Sequence, residues 1–228
     1  MVNYKASFTE VTATTIVDDV SAEIRRSISD GRLVAGEPFS IAAISAALQV
    51  SHIPVREALR RLEAEGLVKL RPSKGAVVQP MNRADLTGIY RIRRLLEPQL
   101  AAWSCLGLID SDLARAESLL SVYLTKPPIE SELRDHREFH LLLLRPAASE
   151  WDLRVLEYLW HANDRYVRIL FDPDDPSRQD ELFRSHTVLL DAARQRSPEL
   201  LQQTLLQHLT DVESSIITAL EGTGPWQS

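Results

Sequence analysis

Apolar residues recur every fourth position near the start of the chain: Ile16, Val20, Ile24 and Ile28 predict a helix over 15–29, ended by Asp30-Gly31. After a turn at Val34-Ala35-Gly36-Glu37-Pro38, Ser40 suits the N-cap of a short second helix lined by Ile41, Ile44 and Leu48. Gln49-Val50-Ser51 separates it from a third helix with Pro54 in its first turn and Val55, Ala58, Leu59 and Leu62 as its apolar stripe. Glu65-Gly66 stops that helix. The period then changes to two. Val68 and Leu70 alternate with Lys69 and Arg71, Pro72-Ser73-Lys74-Gly75 reads as a turn, and Ala76-Val77-Val78 as the return strand.

Beyond residue 83 every apolar pattern is helical, over roughly 84–106, 110–125, 130–145, 150–171, 178–196 and 199–221. The expected fold is mainly α. A winged helix-turn-helix of three helices and a small β-hairpin spans 1–79, a linker 80–83, an all-α antiparallel bundle of about six helices 84–221, and a tail 222–228.

Composition fits a globular protein, with 44% hydrophobic and 25% charged residues among 228. No run approaches the roughly 20 apolar residues that a membrane helix needs, and no secretory signal is visible. The single cysteine, Cys105, forms no internal disulfide and fits a reducing cytoplasm. The net charge of −6 argues against nucleic acid, but its distribution reverses that reading. Residues 1–80 hold ten Lys/Arg against nine Asp/Glu, and 51–80 alone hold six against three. A basic patch on an acidic protein is a plausible phosphate footprint.

On the third helix His52, Arg56 and Arg60 recur every four residues, and both arginines point roughly 100–140° away from Val55 on the core side. Arginine at that place can donate two hydrogen bonds to guanine, while Ser51 and the helix start suit a phosphate. Arg71, Ser73, Lys74 and Gly75 make a small basic tip on the hairpin. A solvated basic face laced by Glu57–Arg61 pairing is the alternative. The tight turn and the wing beside it favour DNA.

Gly31-Arg32-Leu33-Val34-Ala35-Gly36-Glu37 and the run from Leu48 to Val68, through Ser51-His52-Ile53-Pro54-Val55-Arg56-Glu57-Ala58-Leu59, closely resemble the winged helix of the GntR regulators. The resemblance covers about residues 16–79 and implies that Arg56 contacts bases and the wing tip contacts DNA. His52 stands where that family usually has arginine, and Ala42 near where it often has another.

Histidines dominate the second half. His136 and His140 lie one helical turn apart among Leu133, Phe139, Leu143 and Leu144. His186 shares its side with Leu182, Phe183, Leu189 and Leu190, and His208 lies among Leu201, Leu205 and Val212. Unpaired buried imidazoles are costly, and a divalent metal would satisfy all four at once. Such a site suits zinc, nickel, cobalt or iron, with zinc or nickel expected. A polar pocket in which these histidines bond a ligand or one another is the alternative. Arg93 also points inward, with Glu97 one turn later as either its whole partner or a companion to an anionic ligand. Asn163, in line with Leu156, Leu159, Tyr166 and Leu170, is a candidate effector contact, and His161 is given no role.

Tyr90-Arg91-Ile92-Arg93-Arg94-Leu95-Leu96-Glu97-Pro98, Glu138-Phe139-His140, Ser185-His186 and Gln207-His208-Leu209 resemble the FCD effector domain of the FadR-type GntR branch, over about 84–221. The resemblance implies a metal held by an Asp and three histidines, matched here by His140, His186 and His208, with His136 in the place of the Asp. The expected protein is a homodimeric transcription regulator, not an enzyme, bound to a palindromic double-stranded operator. A small anionic effector, an organic acid, would sit beside the metal and set operator affinity. A metalloenzyme, a metal-only regulator and an acyl-chain sensor are the competing readings.

Overall fold

The computed structural model describes residues 16–29, 31–72, 74–123, 129–171 and 176–223. The chain divides between Gln79 and Pro80 into two compact units.

In the first unit, α1 (Ile16–Ser29), α2 (Ile41–Leu48) and α3 (His52–Ala64) pack with a small sheet of β1 (Pro38–Phe39), β2 (Val68–Arg71) and β3 (Gly75–Val78). Val20 and Ile24 of α1 meet Val55, Ala58, Leu59 and Leu62 of α3 and Val68 and Ala76 of the sheet in one buried core. Ser40 caps α2 by accepting from Ala43 N–H at 3.0 Å, and Gln49 closes it in the left-handed conformation at φ 55°. That left-handed residue folds the chain back sharply enough to start α3 three positions later.

The sheet is antiparallel in the order β1-β3-β2, with Val68 opposite Val78 and Arg71 opposite Gly75. Strand β1 corrects the sequence reading, which ends a turn at Pro38 and assigns only a hairpin. Two residues, one of them proline, carry no alternation, and their pairing with Val77 and Ala76 is purely tertiary. Gly75 is required where that third strand arrives: its φ is +86° and an added Cβ would stand 2.0 Å from the Phe39 carbonyl oxygen. Gly75→Ala is expected to lower the unfolding midpoint of this unit, costing more than about 1 kcal/mol, as a thermal melt would show.

The second unit is all helix among the described residues: α4 (Arg83–Ser104), α5 (Asp110–Tyr123), α6 (Ile129–Leu144), α7 (Glu150–Val167), α8 (Pro176–Arg194) and α9 (Pro198–Thr223). Short 3-10 turns follow α4 at Cys105–Gly107 and α7 at Arg168–Phe171. Helices α4 and α9 run antiparallel side by side, pinned by Arg83–Glu221 at 2.8 Å, Arg94–Glu213 and Gln202–Gln99. Ser104 ties the end of α4 to the end of α6 by donating to the Leu144 carbonyl at 2.6 Å and accepting from Ala147 N–H.

Several helix ends differ from the periodicity. Asn82 caps α4, so Arg83 belongs to the helix rather than to the linker. Helix α8 starts at Pro176, where proline's fixed φ and missing N–H suit a first turn, and it ends at Arg194. Helix α9 runs into the expected tail as far as Thr223. Residues 124 and 125, assigned to a helix from sequence, lie outside the described residues.

Candidate functional site

Four histidines gather inside the helical unit. His136 and His140 from α6, His186 from α8 and His208 from α9 are all at most 6% exposed. Their rings converge: His136 lies 4.8 Å from His140 and 4.9 Å from His186, and His186 lies 4.5 Å from His208, centre to centre. One ring nitrogen each from His136, His140 and His186 falls within 4.8 Å of the others. The fourth imidazole adjoins this triad through His186 and through His140, 5.2 Å away.

Neighbouring groups fix which nitrogen faces the cluster. His186 Nδ1–H donates to the Leu182 carbonyl at 2.6 Å, leaving Nε2 as the lone-pair nitrogen. Ser185 gives its only hydroxyl proton to the same carbonyl at 2.7 Å, so it accepts from His208 Nδ1–H at 3.1 Å, which frees His208 Nε2 in the same way. Such outer partners are what orient metal-bound imidazoles. His140 Nε2 stands 3.1 Å from His186 Nε2. Two imidazole nitrogens on a single zinc, each about 2.1 Å from it, sit roughly 3.0–3.4 Å apart.

Burial, before any neighbour's charge, lowers the pKa of all four rings, and His186 falls to about 4. The nearby Arg93 charge pushes the same way. At neutral pH the four are therefore uncharged donors, the form that a metal requires. His136 Nε2 and His140 Nδ1 are buried without a hydrogen-bond partner among the described residues. This donor set fits a divalent ion of borderline softness, and the orphaned His136 nitrogen is the atom such an ion would satisfy. Asp135, adjacent in sequence, instead pairs with Arg134 at 3.1 Å.

Arg93 is buried beside this cluster, as its helix position implies, and it is not alone. Its Nε and Nη2 donate to Glu97 at 2.6 and 3.3 Å, and Glu97 also accepts from Trp160 Nε1 at 2.9 Å. Burial opposes the guanidinium charge, and the Glu97 carboxylate outweighs it, so the Arg93 pKa ends above its ordinary value. The ring of Tyr90 lies under the guanidinium at 4.9 Å. Asn163 is buried facing Tyr90, yet neither Asn163 Oδ1 nor the Tyr90 hydroxyl makes a well-formed hydrogen bond among the described residues. Trp160, Tyr90 and Ser185 are partners of Glu97, Arg93 and His208 that the sequence reading does not nominate. The available signal was spacing: Tyr90 and Trp160 each precede a nominated residue by three positions on the same helix face.

On the first unit, Ser51, His52, Arg56, Arg60, Arg71 and Lys74 are exposed and Gly75 is partly so, while Ser73 lies outside the described residues. Ser51 makes no side-chain cap bond to α3, in contrast to Ser40 on α2. The Glu57–Arg61 pairing of the alternative reading does not form among the described residues. Glu57 takes Arg60 at 2.6 Å, and Arg61 reaches across to Asp18 of α1 at 2.6 Å. Glu63 accepts from Leu70 N–H at 2.7 Å, and Glu65 holds Arg25 through both oxygens. The acidic groups of α3 are thus occupied within the unit, and Arg56 alone among the helix's arginines makes no ion pair among the described residues.

A three-helix unit with a β-wing, followed by an all-helical unit, is the architecture of a winged-helix transcription regulator with a C-terminal helical domain. The chain belongs to the GntR family of bacterial regulatory proteins: residues 16–78 match the model of that family, and residues 88–211 match that of the FCD domain. It is 25% identical over 208 residues to the HTH-type transcriptional repressor RspR of Escherichia coli K12, with 90% of each chain covered. It is 29% identical over 215 residues to the probable D-xylose utilization operon transcriptional repressor of Paenarthrobacter nicotinovorans, again with 90% of each covered. Its fold is similar to that of E. coli McbR/YncC, with a TM-score of 0.75 at 22% identity over 93% of this chain and all of that one. No described helix is long and apolar enough to cross a membrane.

Proposed function

We propose that this regulator is a homodimeric repressor whose hold on a palindromic operator is set by a small anion bound beside a divalent metal in the FCD unit. The observation that carries the reading is the convergence of three neutral, buried imidazoles, with a fourth ring beside them and His136 Nε2 unsatisfied. Arg93 is cancelled by Glu97 and the imidazoles are uncharged, so these groups leave the interior close to neutral. A divalent ion would add two positive charges there and a Lewis-acid contact for an anionic oxygen. A small carboxylate supplies that oxygen, and Arg93, with Tyr90 and Asn163 buried next to it, is the polar group offered to the rest of the anion.

A metal-free pocket is the second reading, and the His140–His186 bond favours it. The orphaned His136 Nε2 weighs against it. The repressor reading draws on the names of two relatives. The dimer reading draws on Leu95 and Trp103 of α4 and Leu106 of the 3-10 turn that follows it, exposed apolar residues that a second copy would cover. From Asn163 the same helix reaches Tyr166, whose hydroxyl contacts the backbone N–H and carbonyl of Asn82 at 3.3 Å. Ligand contacts on α7 thereby have a direct hold on the residue that starts α4, three positions past the boundary between the units.

A thermal-shift screen of metal-stripped protein against Zn²⁺, Ni²⁺ and small carboxylates tests the reading. Metal should raise the midpoint, and a carboxylate should raise it further only when metal is present. On the DNA side, Arg56→Ala should weaken specific operator binding by about 1–3 kcal/mol at fixed salt. Fluorescence anisotropy on a selected operator measures this, and unchanged affinity removes Arg56 as a base reader.

A further inference from the structure

We infer that Ile53 reads thymine: its side chain meets the 5-methyl group of a thymine in the major groove and makes α3 selective for that base over uracil or an unmethylated pyrimidine. The inference rests on α3 being the DNA-reading helix and specifies what it reads beyond the arginine contacts.

Ile53 is 74% exposed, on a helix whose core residues are all but inaccessible. At 100° per residue, the core residues Val55, Ala58, Leu59 and Leu62 centre roughly 190° from it, and Arg56, Glu57 and Arg60 lie within about 60° of it. Ile53 therefore marks the middle of the outward face, one residue into the helix. In helix-turn-helix proteins it is the N-terminal residues of this helix that reach base edges. An exposed isoleucine is unremarkable on most surfaces. Here, though, it sits between an arginine with no ion pair among the described residues and an uncapping Ser51, both suited to holding phosphate or guanine on either side. A docked duplex would then press the Ile53 branch against a groove floor on which the thymine methyl is the apolar feature. Its β-branched side chain is already nearly fixed in one helical rotamer, so little freedom is lost on contact.

Deoxyuridine differs from thymidine only by that methyl, which makes a direct test possible. An operator is first selected from a random pool with the full-length protein at fixed salt. Each thymine in a half-site is then replaced in turn by deoxyuridine, and binding is measured for wild type and Ile53→Ala. At one or more positions, uracil should weaken wild-type binding about threefold to tenfold, the range expected for one buried methyl contact. Ile53→Ala should bind the thymine and uracil duplexes equally, with an affinity near that of wild type on uracil. The substitution touches no core residue, and an unchanged melting curve checks that the variant is folded. If no thymine is sensitive, or the sensitivity persists in Ile53→Ala, the inference is overturned while DNA reading by α3 stands. If the pool yields no enriched duplex at all, both fall together.

Discussion

Zinc should stabilise the metal-stripped protein by about 4 kcal/mol at a thousandfold excess over its dissociation constant, and His186→Ala should lose that gain. His186 is the hub of the cluster, within 5.1 Å of each of the other three rings and anchored through Nδ1 to Leu182. Its removal deletes one ligand and one of the two side-chain donors to the Leu182 carbonyl, leaving that of Ser185. Each form is compared with and without zinc, so the loss of packing from the deleted ring cancels. A variant stabilised by zinc as strongly as wild type would remove the histidines from the account.

The second large effect is on the fold itself. Glu97→Ala should destabilise the helical unit by about 3–5 kcal/mol, because it strands a buried guanidinium. Arg93 and Glu97 are both essentially inaccessible, and the same carboxylate satisfies Trp160 Nε1–H, which would also lose its partner. Replacing both charges, as in Arg93→Met with Glu97→Leu, should recover much of the loss, since neutral groups of similar volume need no partner. Urea unfolding of the two variants measures the difference. A single variant within about 1 kcal/mol of wild type would show that water reaches this pair and that Arg93 is not sealed inside.

Much of this interior was legible in the sequence because helical spacing fixes direction. The i, i+4 pair His136 and His140, and the apolar neighbours of His186 and His208, put four imidazoles on inward faces by spacing alone. Arg93 and Glu97 follow the same rule. Periodicity cannot say which inward groups meet, so Trp160 closing on Glu97 from α7 and Ser185 setting the His208 tautomer appear only in three dimensions. Strand β1 was missed for the same reason, as two residues hold no pattern of their own. On α3 the spacing singled out the arginines but not Ile53, because an apolar residue off the stripe looks like noise until its exposure is known. The Glu57–Arg61 pairing of the alternative reading gives way to Glu57–Arg60 because Asp18, distant in sequence, claims Arg61.

The most direct measurement is operator affinity at fixed salt, with zinc-loaded protein titrated with a panel of small carboxylates, for wild type and His186→Ala side by side. The account predicts that at least one acid shifts the wild-type dissociation constant by about fivefold or more, the usual lower range of allosteric coupling, and leaves the variant unmoved. Affinity indifferent to every acid, or a shift equally large in His186→Ala, would contradict it.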